Sequence, residues 1–393
     1  MKIDKSKWEI KKIGEVCKII SGSTPRTQES KNWTNGTYCW ITPAELKGNK
    51  LISDTERKIS DYAVKHTNLT LMPIGTVLLS SRAPIGKVAI TTVPMYCNQG
   101  FKNLTCSELI YNEFLYYYLK SQTKRLNYLG NGVTFKEISR KIVQDIKIPV
   151  PPIKEQQAIA EEFDTLQSLI TQYREQLNEY DKLAQSIFHE MFGDVVTNEK
   201  GWKNGKLNEI CNEITSSKRI FAKEYKETGI PFYRIKEIIE KSKGLRMSVE
   251  LYISEERYTE IKEKFCIPQK GDILITAVGS IGYSWVVDTD TPFYFKDGNV
   301  LWIKMNANQN SIFVKYMLEV LMNEFKKKLS NGAAYQAMTI NKLEELEINK
   351  VPLPLQQQFA SRIESIEAQK ALVKQQLSDV QTLFDSRMQY YFD

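Results

Sequence analysis

The sequence predicts an α+β protein with two similar globular domains, each followed by a long helix, and with the two helices paired as an antiparallel coiled coil. Two observations predict this fold class. A set of sequence landmarks occurs twice, about two hundred residues apart, and a heptad pattern of apolar residues follows each copy. A repeat of this kind has a pseudo-twofold axis across the helix pair. The predicted bounds are 1–153 for the first globular domain, 154–193 for the first helix, 194–354 for the second globular domain and 355–393 for the second helix.

The composition is that of a folded protein with more than one domain. With 393 residues, 42% hydrophobic and 26% charged, the chain lies outside the disordered and collagen-like classes. No apolar run approaches the ~20 residues of a transmembrane helix, and Met1-Lys2-Ile3-Asp4 begins a polar stretch instead of a signal peptide. We therefore expect a cytoplasmic protein without a membrane partner. The formal net charge of +7 is mildly basic, which suits a polyanionic partner.

An internal repeat underlies the predicted architecture. Trp8 and Cys17 in the first half recur as Trp202 and Cys211 in the second, with the same spacing within each pair. The offset between the copies is 194 residues at the tryptophans and grows to 200 further along the chain. Three more pairs of segments keep this order: Gly75-Thr76-Val77-Leu78-Leu79 and Gly271-Asp272-Ile273-Leu274-Ile275, Phe114-Leu115-Tyr116-Tyr117 and Phe313-Val314-Lys315-Tyr316, and Leu129-Gly130-Asn131-Gly132 and Leu329-Ser330-Asn331-Gly332.

Within each half, short β-rich segments precede helical ones. Runs of β-branched and aromatic residues between turn-forming residues predict strands. The predicted strands cover 76–80, 88–91, 272–276 and 284–287, and the predicted helices cover 111–126 and 312–329. Each half is therefore expected to form an α+β domain of about 150 residues.

Each predicted globular domain ends in a proline-rich strand that leads into a helix. The prolines of Ile148-Pro149-Val150-Pro151-Pro152 and Val351-Pro352-Leu353-Pro354 favour extended backbone, and glutamine-rich helix starts follow them. The apolar residues of both helices then alternate three and four apart, which is the seam of a coiled coil, with Lys370 as a polar interruption. The seam residues are Phe163, Leu166, Ile170, Tyr173, Leu177, Tyr180, Ile363, Ile366, Val373, Leu377, Val380 and Phe384.

A seam of this width fits one partner helix, so we expect the two long helices to pair with each other. The globular domains would then lie at opposite ends of the pair, inverted relative to one another. About 26 seam residues span about 40 Å, which is close to the ~34–36 Å of one turn of DNA. The alternative is two ordinary amphipathic helices, each packed on its own domain.

The loops of both halves contain candidate DNA-binding residues. Arginine and lysine bind phosphates or the guanine edge, asparagine and glutamine bind adenine, and hydroxyls bind phosphate. The candidates in the first half are Ser23, Thr24, Arg26, Arg82, Lys87, Asn98, Gln99, Lys102, Asn131, Thr134 and Lys136. Those in the second half are Lys218, Arg219, Arg234, Lys236, Ser280, Tyr283, Lys296, Asn299, Tyr335 and Gln336.

Two alternatives apply to these candidates. Asparagine and glutamine beside glycine are also common turn formers. The loop with Arg82 and Lys87 keeps its glycine in the second half but loses both cations, which fits either two domains that recognise different sequences or neutral drift.

No catalytic or metal-binding motif is present in the sequence. There are two histidines, and the six cysteines form no C-x-x-C pair, so we expect no metal site and buried free thiols. The motifs G-x-G-x-x-G, G-x-x-x-x-G-K-[ST], H-E-x-x-H and N-P-P-[FY] are all absent. The chain is therefore expected to be non-catalytic and to bind no cofactor itself.

Taken together, these features resemble the specificity subunit of type I restriction–modification enzymes over essentially the whole chain. The resemblance rests on the paired openings at Trp8 and Trp202, the Ser21-Gly22-Ser23-Thr24-Pro25 turn, the G-T-V-L-L-S-S-R segment that begins at Gly75, the I-P-V-P-P-I-x-E-Q-Q junction that begins at Ile148, and the two helices. It implies two target-recognition domains, each recognising one half of a gapped, bipartite site in double-stranded DNA.

The resemblance also implies protein partners. Two methyltransferase (modification) subunits would dock mainly on the helical regions, and restriction subunits would join that core. S-adenosylmethionine, ATP and Mg²⁺ would bind to these partners and not to this chain. The second junction lacks one proline and the glutamate of the first, so the resemblance leaves open whether the two docking surfaces are equal. Two other functions stay open: a nuclease or methylase that acts alone, and a stand-alone coiled-coil adaptor for DNA.

Overall fold

The computed structural model describes residues 4–130, 137–245, 247–330 and 337–393. The chain forms two compact units: unit 1 contains Met1–Glu175 and Lys374–Asp393, and unit 2 contains Gln176–Val373. Each unit therefore combines one globular half of the sequence with a part of each long helix.

Unit 1 is an α+β domain with its strands in three sheets. Its strands are β1 Glu9–Lys12, β2 Cys17–Ser21, β3 Tyr38–Ile41, β4 Leu51–Ile52, β5 Lys58–Ile59, β6 Val77–Leu79, β7 Val88–Thr91, β8 Tyr96–Cys97, β9 Lys102–Cys106 and β10 Lys147–Val150. Its helices are α1 Ile13–Val16, α2 Asp61–His66, α3 Asn112–Ser121, α4 Thr123–Leu129, α5 Arg140–Asp145 and the first part of α6 Ile153–Phe192.

The sheets of unit 1 place the chain ends of the domain side by side. The largest sheet has the order β2-β9-β6-β7-β4, a second has the order β5-β3-β8, and β1 pairs with β10. In that last pair Glu9 lies opposite Val150, so the first strand of the chain holds the strand that leads into α6. The proline-rich exit strand predicted from the sequence is therefore the partner of the tryptophan-containing opening.

Unit 2 repeats this topology. Its strands are β11 Lys203–Lys206, β12 Cys211–Ser216, β13 Ile230–Tyr233, β14 Tyr252–Ile253, β15 Ile273–Thr276, β16 Ser284–Val286, β17 Tyr294–Phe295, β18 Val300–Met305 and β19 Glu347–Lys350. Its helices are α7 Ile235–Ser242, α8 Glu255–Phe265, α9 Ser311–Ser330, α10 Ile340–Glu344 and the first part of α11 Leu353–Phe392. The sheet orders β12-β18-β15-β16, β14-β13-β17 and β11-β19 match β2-β9-β6-β7, β5-β3-β8 and β1-β10 of unit 1. The predicted repeat is thus confirmed at the level of the fold.

A buried glutamine joins each globular domain to its long helix. Gln156 is fully buried and accepts a hydrogen bond from the Tyr111 backbone amide at 2.7 Å, while its own amide donates to the carbonyls of Leu109 and Pro151. Gln356 is fully buried too, and it binds Asn310 and the Val351 carbonyl in the same way. The glutamines predicted at the helix starts therefore satisfy backbone groups that the junction leaves without partners.

The long helices α6 and α11 pack against each other within each unit. In unit 1, Phe163 of α6 contacts Phe384 of α11, with ring centroids 5.3 Å apart. In unit 2, Phe188 of α6 contacts Phe359 of α11 at 5.4 Å. Within unit 2, Asp181 of α6 also pairs with Lys370 of α11. The residue numbers of the contacting α11 residues therefore fall as those of α6 rise, which means that the two helices run antiparallel. The antiparallel helix pair predicted from the heptads is confirmed.

The helices also pack on the globular parts, which the seam alone did not predict. The ring of Phe163 lies 4.8 Å from that of Tyr117 in α3, and Phe188 lies 5.9 Å from Phe313 in α9. All twelve predicted seam residues are buried or partly buried, and Phe188 and Phe192, outside the strict seam, are buried as well. The apolar face is therefore wider than a coiled-coil seam at both ends of α6, because it serves two partners.

The cysteines are free thiols, but they are not all buried. Cys17, Cys97 and Cys211 are buried as expected, and burial raises the pKa of the Cys97 thiol to about 12. Cys266 is exposed, contrary to the expectation, because it lies just after α8 where the backbone leaves the helix with φ of +64°. None of the described helices is both long and apolar enough to cross a membrane.

Candidate nucleic-acid interface

Three loops of unit 1 meet at one edge of its largest sheet. Strand β2 ends at Ser21, which pairs with Lys102 at the start of the antiparallel β9. Ser80, just after β6, forms a bridge with Phe101. Because β9 runs against both β2 and β6, the loops at 21–26, 80–87 and 97–102 lie together.

Hydrogen bonds connect these three loops. The amide of Ser23 donates to the Cys97 carbonyl at 3.0 Å, and the Thr24 hydroxyl donates to the Gln99 side chain. The amide of Ser81 donates to the Gly100 carbonyl at 2.7 Å. The structure therefore brings six predicted residues together in unit 1: Ser23, Thr24, Arg82, Asn98, Gln99 and Lys102.

Unit 2 builds the same loop cluster. Ser216, at the end of β12, lies opposite Leu301 of β18, and the Ala277 amide donates to the Asn299 carbonyl at 2.9 Å. The Lys296 amide donates to the Tyr233 carbonyl at 2.8 Å, which brings the start of α7 to this edge. The predicted residues that meet here are Lys218, Arg219, Arg234, Lys236, Ser280, Lys296 and Asn299.

The turn that carries Arg82 has the same frame in both units. The Ser80 hydroxyl donates to the Pro84 carbonyl at 2.8 Å and accepts from the Lys87 amide at 2.8 Å. In unit 2 the Thr276 hydroxyl donates to the Ser280 carbonyl and accepts from the Tyr283 amide. Gly86 and Gly282 both have φ of +86°, and a Cβ on Gly282 would lie 2.6 Å from the Met322 side chain. The shared glycine is therefore required by the frame, while the tip residues are free to differ.

Arg82 belongs to an ion cluster that unit 2 replaces as a set. Glu137 accepts from Arg82 at 2.8 Å and from the buried Lys102 at 3.1 Å. Burial raises the pKa of Glu137, but the hydrogen bonds and charges of Arg82 and Lys102 lower it more, so the net pKa is below its usual range. The Ile138 amide donates to the Ser81 carbonyl in unit 1, and the Met338 amide donates to the Ala277 carbonyl in unit 2. These two hydrogen bonds are equivalent, so they identify which residues of the two units correspond. The corresponding residues of unit 2 are Val278, Leu301 and Ala337.

Four of the five predicted cations of unit 2 are paired with carboxylates, and the fifth, Lys218, lies over the ring of Phe265. Arg219 binds Asp297 at 3.0 Å. Arg234 binds the buried Glu237 and the exposed Glu250, each at 2.9 Å, and hydrogen bonds to Glu237 and Glu250 raise its pKa. Lys236 shares Glu250 with it. These side chains must exchange or share a carboxylate to bind DNA, which reduces the free energy gained from each contact.

Other predicted residues have different surroundings. Arg26 is exposed, and its carbonyl accepts from the Trp33 indole at 3.2 Å. Lys87 borders a cavity of about 430 Å³ that Lys47 and Lys120 also line. The Asn98 side chain accepts from the Gly100 amide at 2.8 Å, which is the turn-forming role. Tyr283 lies 5.1 Å from the Lys243 ammonium. Asn131, Thr134, Lys136, Tyr335 and Gln336 lie outside the described residues.

Sequence reasoning missed an aromatic cluster with an arginine beside the first loop. The guanidinium carbon of Arg57 lies 3.8 Å from the ring centroid of Trp33 and 5.2 Å from that of Trp40. The two indoles donate to the carbonyls of Arg26 and Ser23, so the cluster holds the 21–26 turn. Two tryptophans seven residues apart, with Arg57 seventeen residues after the second, were the available signal.

The chemistry of both loop clusters is that of hydrogen bonding and charge. Hydroxyl, amide, guanidinium and ammonium groups are grouped at the loop edges, and these are the donors that proteins use for phosphates and base edges. In the part of the chain that the structure describes, no three His, Cys, Asp or Glu side chains are grouped so that they could hold a metal ion.

Comparison with known proteins identifies the family. The family model described as type I restriction modification DNA specificity domain matches residues 5–179 and 199–382. The chain is 31% identical over 387 residues to the type I restriction enzyme MjaIX specificity subunit of Methanocaldococcus jannaschii, covering 91% of this chain and 86% of that protein. It is 26% identical over 309 residues to a putative type I restriction enzyme specificity subunit of Haemophilus influenzae, covering 72% and 71%.

A solved structure has the same fold. The S subunit of a type I restriction–modification system from M. genitalium superposes with a TM-score of 0.60 at 18% sequence identity, covering 100% of this chain and 98% of that one. A second structure, from work on complex assembly and conformational transition of the type I system, also gives a TM-score of 0.60, at 19% identity. Two matched segments, a duplicated fold and near-complete coverage agree: the chain belongs to the family of type I restriction–modification specificity subunits.

Proposed function

We propose that this chain is the DNA-recognition subunit of a type I restriction–modification complex, and that each unit recognises one half of a bipartite, gapped site in double-stranded DNA. The observation that carries this proposal is the pair of equivalent loop clusters. The frame around Ser80 and Thr276 is the same in both units, whereas its tip is charged in unit 1 and uncharged in unit 2. A constant frame with different tips suits two domains that recognise different bases.

Catalysis in this proposal belongs to partner subunits. Two methyltransferase subunits bind the helical regions, because a repeated sequence offers two similar surfaces to two copies of one partner. Restriction subunits join that core in the cytoplasm, and the partners bind S-adenosylmethionine, ATP and Mg²⁺. One of the similar solved structures comes from work on the assembly of such a complex, which supports the proposal of subunit partners. This chain contributes sequence recognition and the scaffold.

The paired cations define how recognition works. Arg82 is bound to Glu137 in the free protein, and Arg219 is bound to Asp297. On DNA, each guanidinium exchanges its carboxylate for a phosphate or for the O6 and N7 atoms of guanine. When the base is wrong, the guanidinium stays on its carboxylate. Discrimination between bases therefore rests on the free-energy difference between the carboxylate-bound and the base-bound guanidinium.

Mapping of methylated adenines tests the proposed function. We expect genomic DNA from cells that carry this chain and its methyltransferase to be modified at one gapped, two-part sequence. Arg82→Ala should weaken binding at one half-site by about 1–3 kcal/mol and leave the other half unchanged. Modification at a continuous site, or loss of affinity that is equal on scrambled DNA, would contradict the assignment of Arg82 to base recognition in a bipartite site.

The alternative functions have their own tests. A nuclease or methylase that acts alone would cleave or methylate DNA as the purified chain, whereas we expect neither activity without partners. An adaptor that dimerises through its heptads would show a mass that rises with concentration in sedimentation. We expect the isolated chain to stay monomeric, because α6 and α11 already bury each other's apolar faces within each unit.

A further inference from the structure

We propose that Arg57 is a base-specific contact of unit 1 and that it binds the O6 and N7 atoms of one guanine in the first half-site. This inference rests on the proposed function and extends it to a residue that the sequence analysis did not select. Three independent features of the structure support it: the support of the side chain, its lack of a carboxylate partner, and its replacement in unit 2.

Two aromatic neighbours support the guanidinium of Arg57. Trp33 and Trp40 meet nearly at right angles, with centroids 5.1 Å apart and an interplanar angle of 78°, and the guanidinium packs against both rings. The Arg57 carbonyl accepts from the Trp40 amide at 3.2 Å and from the Thr55 hydroxyl at 2.7 Å. A guanidinium that packs through its flat face keeps its N–H edge for a planar acceptor, and its conformational entropy is already lost before DNA binds.

Arg57 has no internal acceptor among the described residues, unlike Arg82, Arg219 and Arg234. Among the described residues, no carboxylate or carbonyl accepts a hydrogen bond from its side chain, which is exposed. Arg82, Arg219 and Arg234 each bind at least one carboxylate within 3.0 Å. DNA binding therefore costs Arg57 no ion pair, so a base contact from this residue contributes its full free energy.

The location of the cluster places Arg57 beside the loops of the interface. The Trp40 indole donates to the Ser23 carbonyl at 3.1 Å, and the Trp33 indole donates to that of Arg26. The same two rings thus support Arg57 on one side and the 21–26 turn on the other. That turn in turn contacts Gln99 of the third loop through Thr24.

Unit 2 replaces the arginine with a leucine and the two tryptophans with other aromatic residues, of which Tyr225 accepts a hydrogen bond from Lys296. The Phe232 amide donates to the Leu251 carbonyl at 2.9 Å, which is the counterpart of the bond from Trp40 to Arg57. Tyr225 and Phe232 lie 5.3 Å apart, in the place of the two tryptophans, and pack with Leu251. The cation and its indole support are absent together from this position. We therefore expect a guanine contact here in the first half-site and none at the corresponding position of the second.

The test uses the complex of this chain with its methyltransferase and duplexes that contain the mapped site. Each guanine of the first half-site is replaced in turn by 7-deazaguanine, which lacks N7. For the wild-type complex we expect a loss of affinity at one guanine. Arg57→Ala should lower affinity for the unmodified site about 5- to 150-fold, and 7-deazaguanine at that position should then have no further effect.

Two further variants separate base recognition from charge and from folding. Arg57→Lys keeps the positive charge but lacks the two adjacent N–H donors that bind O6 and N7 together. Its loss of affinity should therefore be close to that of Arg57→Ala. Arg140→Ala removes an exposed arginine on α5 in the same unit and should not change affinity. Thermal unfolding of every variant, measured alone, checks that each is folded.

The possible results are distinguishable. A first half-site without guanine, an equal loss on scrambled DNA, or full binding by Arg57→Lys would overturn the assignment, and the last two would indicate a phosphate contact. If the wild-type complex modifies a bipartite site while Arg57→Ala binds it normally, Arg57 is wrongly assigned and the proposed function stands. If the wild-type complex has no bipartite site, the proposed function itself fails.

Discussion

At the scale of single residues, the two units differ in a group of charged residues that contact one another: all members of the group are charged in unit 1 and apolar in unit 2. Arg82, Lys102 and Glu137 form one ion cluster in unit 1, and all three positions are apolar in unit 2. A partial replacement would leave a charge without its partner, and Lys102 is 8% exposed. A buried charge without a partner costs more than the pair contributes, which explains why no mixed version is found at these positions.

Removal of Glu137 alone should destabilise unit 1. Glu137→Gln leaves the buried Lys102 ammonium without a counter-charge, so we expect the free energy of unfolding to fall by about 1–3 kcal/mol. The triple variant Arg82→Val, Lys102→Leu and Glu137→Ala, which copies unit 2, should cost less than the single substitution. Urea unfolding of both variants measures the difference. A triple variant less stable than Glu137→Gln would show that the cluster contributes net stability.

The contribution of Glu137 should also depend on pH. Its pKa is lower in the folded protein than the ordinary value of 4.5, so the stabilisation is fully present above that value. It is lost as pH falls through the folded pKa. The difference in unfolding midpoint between wild type and Glu137→Gln should therefore be constant from pH 6 to pH 8 and shrink below about pH 4. A difference that grows toward acid would contradict the ion cluster.

At the scale of elements, ion pairs and hydrogen bonds add to the apolar packing of the long helices. Lys370 lies in the seam and is bound by Asp181 and Glu367. Burial lowers the pKa of Lys370, but the hydrogen bonds and charges of these carboxylates raise it more, so the ammonium stays charged. A charged residue in an apolar seam specifies register, because a shifted helix would bury the charge without its partners.

The ion pair between Glu162 and Arg387 should fix α11 on α6 within unit 1. Arg387 donates to Glu162 at 2.9 Å, and the Tyr391 hydroxyl donates to the same carboxylate at 2.7 Å. We expect Arg387→Glu to lower the free energy of unfolding by about 1–2 kcal/mol, a value reduced for partial exposure. Addition of Glu162→Arg should restore part of the loss, as measured by a double-mutant cycle in thermal unfolding. Arg387→Met, which keeps a long side chain without the charge, is the matched control for lost packing.

The junction glutamines should be more important for stability than their surface-like residue type suggests. Gln156→Leu removes the acceptor for the Tyr111 amide and the donors to two carbonyls. We expect a loss of about 3 kcal/mol, because each buried group left without a partner costs about 1–3 kcal/mol. Gln356→Leu should have a similar effect in unit 2. Hydrogen exchange at the amides of Tyr111 and Asn310 checks the mechanism, and protection that is unchanged would contradict it.

At the scale of the whole molecule, basic and acidic residues nearly balance. The net charge is +7 from 54 basic and 47 acidic residues, and many cations of the candidate interface are bound to carboxylates. We therefore expect the isolated chain to bind DNA with a shallow salt dependence. The slope of log K against log salt should be smaller in magnitude than the value of about 5 for six phosphate contacts. Fluorescence anisotropy over a salt series measures it, and a steeper slope would indicate an additional phosphate-binding surface.

The sequence by itself determined the parts of this protein that depend on local patterns. Landmarks that recur in the same order about two hundred residues apart predicted the duplicated α+β fold. The spacing of apolar residues from Phe163 and from Ile363 predicted the two paired helices, because the helix period appears directly in the sequence. The loops around Ser23, Arg82 and Asn98 were also selected from sequence, because turns between strands carry exposed polar residues.

Only the tertiary structure decided which side chains meet. The pairing of Arg82 with Glu137, of Arg219 with Asp297 and of Arg234 with Glu250, and the position of Arg57 on two indoles, all join residues that are not neighbours in the sequence. The same is true of the second face of α6, which Tyr117 and Phe313 cover. Charge and polarity are properties of a residue, but whether a cation is free to bind DNA depends on which partners the fold places beside it.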